Sequence, residues 1–178
     1  TYGDWSSDVC SSDLMSPGDR HEEVIECLNR HTDQYEQFLV VICPSMIGYL
    51  ILRAQSLGTP LPHLQMRFLT VGEAFTEAQR IQLADQAGIE PTAPYMLSIY
   101  GSADTGALGA ESRTSVALRQ LMHKQPELAD SLSLGPCIPH FFHFSSTDIY
   151  LEVIEDELCI SRWQGIPLIR YNLHDKAR

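Results

Sequence analysis

Short apolar runs of strand length alternate with helical segments along the first two thirds of the chain, and this alternation most constrains the fold. Strands are predicted at Phe38–Ile42, Met66–Val71 and Tyr95–Tyr100. The first is a continuous apolar run, which is typical of a strand in a sheet covered on both faces. Helical crossovers between such strands place them side by side and parallel. The sequence therefore predicts an α/β fold with a mostly parallel sheet flanked by helices.

The predicted helices have recognisable ends. Asp19 is placed to cap a first helix, and Pro44 suits the first turn of a second helix that stops at Gly58. Thr76 is a favourable N-cap for a third helix, which Gly88 closes.

The last third of the chain has a different pattern. Its predicted strands are short and joined by tight polar turns: His140–Phe144, Ile149–Ile154, Glu157–Trp163 and Pro167–Asn172. Glu155-Asp156 has the position of a hairpin tip. This region predicts a smaller antiparallel or mixed β region after the parallel sheet.

Composition excludes several classes of partner. The chain has 178 residues and a net charge of −11, which disfavours a nucleic-acid surface because phosphates need clustered Lys and Arg. The most apolar run, 38–52, is too short to span a bilayer and contains Pro44 and Gly48. Five cysteines without a CxxC pair fit a reduced, cytoplasmic protein.

The first fourteen residues, 1–14, are predicted not to belong to the fold. Their sequence resembles the in-frame translation of a common sequencing adapter, and such segments are set aside in fold reasoning. Residues 15–178 are then the protein's own sequence, and Met15 need not be its natural start.

One segment, Ser98–Gly109, combines the features of a nucleotide site. Tyr100 ends a strand and offers a ring face to a purine. Gly101 and the small residues after it allow a backbone to approach a phosphate closely. Asp104 supplies a carboxylate for a magnesium ion that bridges phosphates. The composition alone also fits a glycine-rich loop without a ligand.

Two further segments strengthen the nucleotide interpretation. Val71–Phe75 follows a strand and precedes a helix, and Gly165–Asp175 contains a Pro-Leu-Ile-Arg-Tyr run that ends in Asp175. With Tyr100–Asp104 between them, the segments resemble in order and spacing the nucleotide-binding motifs of the adenylate-forming superfamily. The similarity is greatest to phenylacetate–CoA ligases, and it covers the chain from Asp19 to Asp175.

The resemblance implies a role for each matching residue. Gly72 and Glu73 would line the adenine and acyl channel, and Asp175 would accept hydrogen bonds from the ribose hydroxyls. Tyr100 would pack against adenine, and the segment 102–104 would face the α-phosphate, with Asp104 in the place of the magnesium-binding Glu. The implied nucleotide-binding set is Gly72, Glu73, Tyr100, Gly101, Ser102, Ala103, Asp104 and Asp175.

The implied activity is that of an ATP-dependent, AMP-forming acid–thiol ligase. Such an enzyme uses ATP, Mg²⁺ and coenzyme A to convert a small carboxylic acid to an acyl-adenylate and then to a thioester. One alternative is a relative that passes the acyl group to an amine, a hydroxyl or a carrier protein. Another is a non-catalytic nucleotide-binding remnant.

Departures from the family pattern affect the chemistry. Ala103 stands where the family has Thr, so Ser102 or Thr105 would have to supply a hydroxyl, and Asp104 is shorter than Glu. Val71 replaces the first Gly of the family's usual pair, and His174 replaces the Gly that precedes the ribose-binding Asp. Nothing matches the family's lysine-bearing phosphate loop or its C-terminal catalytic lysine. Residues 15–178 are therefore expected to be a partial AMP-binding domain that does not catalyse alone, since phosphate neutralisation and substrate alignment lower this barrier.

His140, His143 and Cys137 are not expected to hold zinc, because strand residues three apart face opposite sides. The neighbouring strand aromatics are predicted to be core residues: Phe141, Phe142, Phe144 and Trp163.

Overall fold

The structure, a computed structural model, describes residues 20–59, 61, 65–93, 95–134, 137–163 and 167–177. The predicted foreign segment 1–14, the proposed cap Asp19, and Gly165 and Ile166 of the third motif lie outside these ranges. The described helices are α1 His21–Arg30, α2 Pro44–Ser56, α3 Glu77–Ala87, α4 Arg113–Lys124 and α5 Pro126–Ser131. The described strands are β1 Phe38–Ile42, β2 Met66–Thr70, β3 Met96–Ser102, β4 Gly106–Ala110, β5 Ile149–Ile154, β6 Glu157–Arg162 and β7 Leu168–Lys176.

The first sheet has the strand order β1-β2-β3-β4. Strands β1, β2 and β3 are parallel, and β4 runs antiparallel to β3. The predicted α/β fold is thus confirmed. The fourth strand was not predicted, because the glycines of segment 98–109 indicated a loop rather than a hairpin.

Strand register aligns the carboxyl ends of β1, β2 and β3, and two of the three motifs lie at the ends of β2 and β3. Ile42 pairs with Thr70, and Thr70 pairs with Ser98, so β1, β2 and β3 reach the same edge of the sheet in step. The segments that contain Gly72 and Tyr100 therefore begin at neighbouring carboxyl ends, where open α/β sheets bind ligands.

The sequence correctly predicted how α2 and α3 begin and end. Pro44 is the first residue of α2, and Gly58 follows its end with a φ of 66°. Thr76 accepts a hydrogen bond from the backbone N–H of Gln79 in a capping box, and Gly88 closes α3 in the left-handed region.

The helices cover one face of the parallel sheet. Met66, Phe68 and Met96 are buried against side chains of α2 such as Ile47 and Leu50. The expectation that both faces of β1 are covered is wrong for the described part of the chain, because Leu39 and Val41 are 59% and 57% exposed. Alternate residues of a strand face opposite sides, so Leu39 and Val41 share the face of β1 that the described residues leave exposed.

The second sheet is antiparallel, in the order β5-β6-β7. Glu155 and Asp156 form the tight turn between β5 and β6, both with positive φ, as the sequence indicated. The predicted strand 140–144 is a correction. Within 140–144 the structure shows a single bridge, between His143 and Ala110, and the rings of His140 and Phe142 stack on each other.

The hairpin of β3 and β4 packs against the second sheet. Leu108 of β4 is buried with Ile149 and Ile160, and Tyr100 of β3 packs against the same group. Both sheets therefore meet at the segment predicted to bind nucleotide. Among the described residues, no helix combines the length and apolarity needed to cross a membrane.

The predicted aromatic core is partly wrong. Phe144 is 48% exposed and Trp163 is 71% exposed, whereas Phe141 and Phe142 are half-buried. Phe144 follows the isolated bridge and Trp163 follows the end of β6, so neither lies within a strand that packs on a second layer.

Candidate nucleotide site

Tyr100 and Asp175 are in direct contact although 75 residues separate them in sequence. The Tyr100 hydroxyl donates a hydrogen bond to Oδ2 of Asp175. Burial raises the pKa of Tyr100, and the hydrogen bond and negative charge of Asp175 raise it further, because both disfavour a phenolate. The phenol therefore remains a hydrogen-bond donor to this carboxylate at neutral pH.

A second tyrosine–aspartate pair joins the same two segments. The Tyr171 hydroxyl donates to Oδ2 of Asp104 over 2.6 Å, and this bond raises the pKa of Tyr171. β7 thus contacts the β3–β4 hairpin through both pairs. We call the four residues, Tyr100, Asp104, Tyr171 and Asp175, the tyrosine–aspartate cluster. Both aspartates are exposed, whereas both tyrosines are half-buried.

The turn between β3 and β4 is closed by two hydroxyls. The backbone N–H of Ser102 donates to Oγ1 of Thr105 over 3.1 Å, and the N–H of Thr105 donates to Oγ of Ser102 over 3.2 Å. Thr105 is buried at 1% exposure, so it does not present the hydroxyl that Ala103 lacks, whereas Ser102 and Ala103 are exposed. Gly101 is required here, since a Cβ atom would collide with the Gly106 carbonyl oxygen.

Glu73 is engaged with the start of α2. Its carboxylate accepts hydrogen bonds from the backbone N–H of Ser45 (3.0 Å) and from the Ser45 hydroxyl (2.9 Å). The N-cap residue, Cys43, makes no side-chain capping bond, so Glu73 supplies the cap from the adjacent loop. Gly72 has a φ of 80°, which turns this loop, and an added Cβ atom would lie 3.4 Å from Cys43 Sγ.

Replacing Glu73 by Ala is expected to destabilise the protein by about 1 kcal/mol, the usual value of a lost helix cap. Urea unfolding followed by circular dichroism measures the change, and Glu36→Ala, at another exposed glutamate, is the control. Equal unfolding midpoints for the two variants would show that the Glu73 carboxylate does not stabilise α2.

A buried ion cluster, which the sequence patterns did not predict, lies next to the site. Its members are Glu77, Arg80, Glu111, Arg119 and His140. Arg80 Nη2 donates to both oxygens of Glu111 over 2.8 Å, and Arg119 Nη1 lies 2.7 Å from Glu77 Oε1. The four arginine and glutamate side chains are at most 1% exposed.

The charges of this buried ion cluster largely balance. Burial alone would raise the pKa of Glu111, but the hydrogen bond with His140 and the charge and hydrogen bond of Arg80 outweigh it and lower the value to about 2. Burial lowers the pKa of Arg119, and the attraction of Glu77 and Glu111 opposes this change. Glu111 also accepts the backbone N–H of Ser98, which ties the cluster to β3.

One signal in the sequence points to this cluster. Glu77 and Arg80 share the helical spacing of the buried Ala84 and Ala87, so two charges occupy the core-facing side of α3. Charged residues on such a face need partners within the protein. The partners themselves are not evident from the sequence, since Glu111 lies 31 residues beyond Arg80.

His140 and His143 have separate surroundings. His140 belongs to the buried ion cluster, whereas the exposed His143 is hydrogen-bonded to Ser112 Oγ over 2.9 Å. Cys137 is an exposed free thiol. Within the described ranges no three His, Cys, Asp or Glu side chains are grouped as metal ligands.

Two surface clefts lie elsewhere on the molecule. One, of about 460 Å³, is lined by Arg20, Tyr49 and Arg53 among others, and a second, of about 440 Å³, lies around Gly58 and Gly88. Neither cleft is lined by a residue of the tyrosine–aspartate cluster.

Comparison with known proteins leaves the site to be interpreted from its own geometry. No protein-family model matches the chain, and no curated protein sequence matches it.

Proposed function

We propose that the chain carries the nucleotide-binding part of an ATP-dependent, adenylate-forming enzyme similar to phenylacetate–CoA ligases. The observation that supports this most is the contact between Tyr100 and Asp175. The resemblance assigns Tyr100 to adenine and Asp175 to ribose, which are adjacent parts of one nucleoside. The fold places these two side chains, which come from separate motifs, next to each other.

The geometry suits a nucleoside monophosphate. The Asp175 carboxylate accepts a hydrogen bond from the Tyr100 hydroxyl, and it would accept the same kind of bond from the ribose hydroxyls. The exposed residues 101–104 lie at the end of β3 and in the turn that follows, where a phosphate group would lie. Mg²⁺ held mainly by phosphate oxygens and water would take Asp104 as its protein ligand.

The complete activity of this proposal is acyl activation. A small carboxylic acid would become an acyl-adenylate and then a thioester of coenzyme A, and the acceptor rests on the resemblance alone. Nothing in this sequence matches the family's two catalytic lysines, so nucleotide binding is the property we assign to the chain itself. Cytoplasmic location belongs to the proposal and fits the cysteines Cys27, Cys43, Cys137 and Cys159, which form no disulfide among the described residues.

Replacing Asp175 by Asn is expected to weaken AMP binding about tenfold, because hydrogen bonds to a charged group are stronger than neutral ones. Isothermal titration calorimetry measures the affinity. Asp130→Asn, at an exposed carboxylate of α5, is the matched control and should bind as the wild type does. Wild-type protein that does not bind AMP, or equal affinities in the two variants, would refute the nucleotide site.

A non-catalytic nucleotide-binding remnant is the second candidate, and the Tyr171–Asp104 bond favours it because it occupies the proposed magnesium ligand. ATP titrations with and without Mg²⁺ separate the two candidates. An ATP affinity that increases with Mg²⁺, and loses this increase in Asp104→Asn, supports the ligase-like site. Nucleotide binding that is indifferent to Mg²⁺ supports the remnant. Acyl transfer to an amine, a hydroxyl or a carrier protein uses the same nucleotide site and differs only in the acceptor.

A further inference from the structure

A column of four rings connects the buried ion cluster to Tyr100. In order, the aromatic column consists of Phe75, His140, Phe142 and Tyr100. The Phe75 and His140 rings meet edge to face at 4.9 Å between centroids. His140 stacks on Phe142 at 5.5 Å and 6°, and Phe142 stacks on Tyr100 at 5.4 Å and 27°. Contacts of this geometry are favourable beyond simple burial.

The inner end of the aromatic column is fixed through both nitrogens of His140. Nδ1 lies 3.0 Å from Oε1 of Glu111, and Nε2 lies 3.0 Å from the carbonyl oxygen of Phe75. The His140 side chain is 8% exposed. Because Glu111 is itself held by Arg80, rotation of the imidazole would break bonds within the buried ion cluster.

The backbone around Phe142 is fixed against β4. Ala110 and His143 exchange backbone hydrogen bonds of 3.0 and 2.8 Å. Gly109 makes the close approach possible, since a Cβ atom there would lie 3.1 Å from Phe142 Cβ. The backbone and the Cβ atom of Phe142 are therefore held close to β4.

We propose that His140 and Phe142 are positioning residues that set the orientation of the Tyr100 ring for a nucleotide base. This inference rests on the proposed function, because it assigns the purine to Tyr100. Neither residue needs to touch the nucleotide, since the stack transmits the orientation of the His140 ring to Tyr100. The buried ion cluster thus acts as the anchor of the base-binding ring.

A ligand-free measurement tests the positioning step. In protein with ¹³C-labelled tyrosine, Phe142→Leu and His140→Ala should each shift the ring signals of Tyr100. The signals of Tyr95, whose ring lies 4.0 Å from the Arg67 guanidinium, should stay in place. His143→Ala is the matched control because His143 contacts Ser112 and not the column. Unchanged Tyr100 signals in folded Phe142→Leu would overturn the proposal, even if His140→Ala fails to fold.

Binding measurements test the consequence for the base. Phe142→Leu should lower the affinity for AMP about fivefold, of the order of one aromatic contact, and leave the affinity for ribose 5-phosphate unchanged. In a Tyr100→Ala background, Phe142→Leu should have no further effect on AMP. An equal loss for both ligands would indicate general destabilisation and overturn the positioning role. If the wild-type protein does not bind AMP, both the proposed function and the base-positioning role are refuted. A shift of the Tyr100 signals in labelled Phe142→Leu would then still show that the aromatic column holds the Tyr100 ring.

Discussion

Replacing Glu111 by Gln is expected to destabilise the protein by about 3–5 kcal/mol, the range found when one partner of a buried ion pair is removed. The carboxylate accepts from Arg80 and lies 3.3 Å from Arg119 Nη1, and all three side chains are at most 1% exposed. Removal of its charge leaves two guanidinium groups with Glu77 as their remaining buried counter-ion. Urea unfolding followed by circular dichroism gives the difference in free energy of unfolding.

Two further variants test whether the loss of stability comes from the buried charge of Glu111. Glu111→Asp keeps the negative charge and should therefore lose less free energy of unfolding than Glu111→Gln. Glu26→Gln is the surface control, because its partner Arg30 lies 3.5 Å away and both side chains are more than two-thirds exposed, so the change should be small. If the Glu111 and Glu26 variants lost similar stability, the buried ion cluster would not hold the fold together.

Acid is expected to remove about 3 kcal/mol of stability through Glu111, because its pKa falls from 4.5 in the unfolded chain to about 2 in the fold. A carboxyl with a lowered folded pKa stabilises the protein fully above its unfolded pKa. The contribution therefore persists above pH 4.5 and is lost as the pH falls from 4.5 to about 2. Protonation at low pH imposes the same loss of charge as the Gln substitution.

The measurement is the free energy of unfolding of wild type and Glu111→Gln between pH 7 and pH 2. Other carboxylates titrate in the same range, so the effect of Glu111 is given by the difference in free energy of unfolding between the two proteins. That difference should be constant from pH 7 to pH 5 and should narrow steadily below pH 4.5. A difference that stays constant down to pH 2 would contradict the lowered pKa of Glu111.

The sequence by itself determined the α/β class and several element ends. Short, mainly apolar strand segments separated by helical segments leave few alternatives to a parallel sheet. As predicted, Thr76 caps the start of α3 and Gly88 closes its end, and Glu155-Asp156 forms the turn of the β5–β6 hairpin. These features are local, since a cap or a tight turn depends on the backbone preferences of residues adjacent in sequence.

The tertiary structure decided which side chains meet. Phe38–Ile42 has the composition of a central strand, yet β1 lies at the edge because the order of strands depends on contacts far along the chain. Glu73 matches a ligand-binding motif, but its carboxylate caps α2 from a loop 28 residues beyond Ser45.

The centre of the proposed site was decided in the same way. The motifs singled out Tyr100 and Asp175 separately, and folding of β7 onto the β3–β4 hairpin brought them into contact. The buried ion cluster joins Arg80, Glu111 and His140 from three different segments. Local sequence patterns record which residue faces the core, whereas partners 29–75 residues apart are selected by the packing of whole elements.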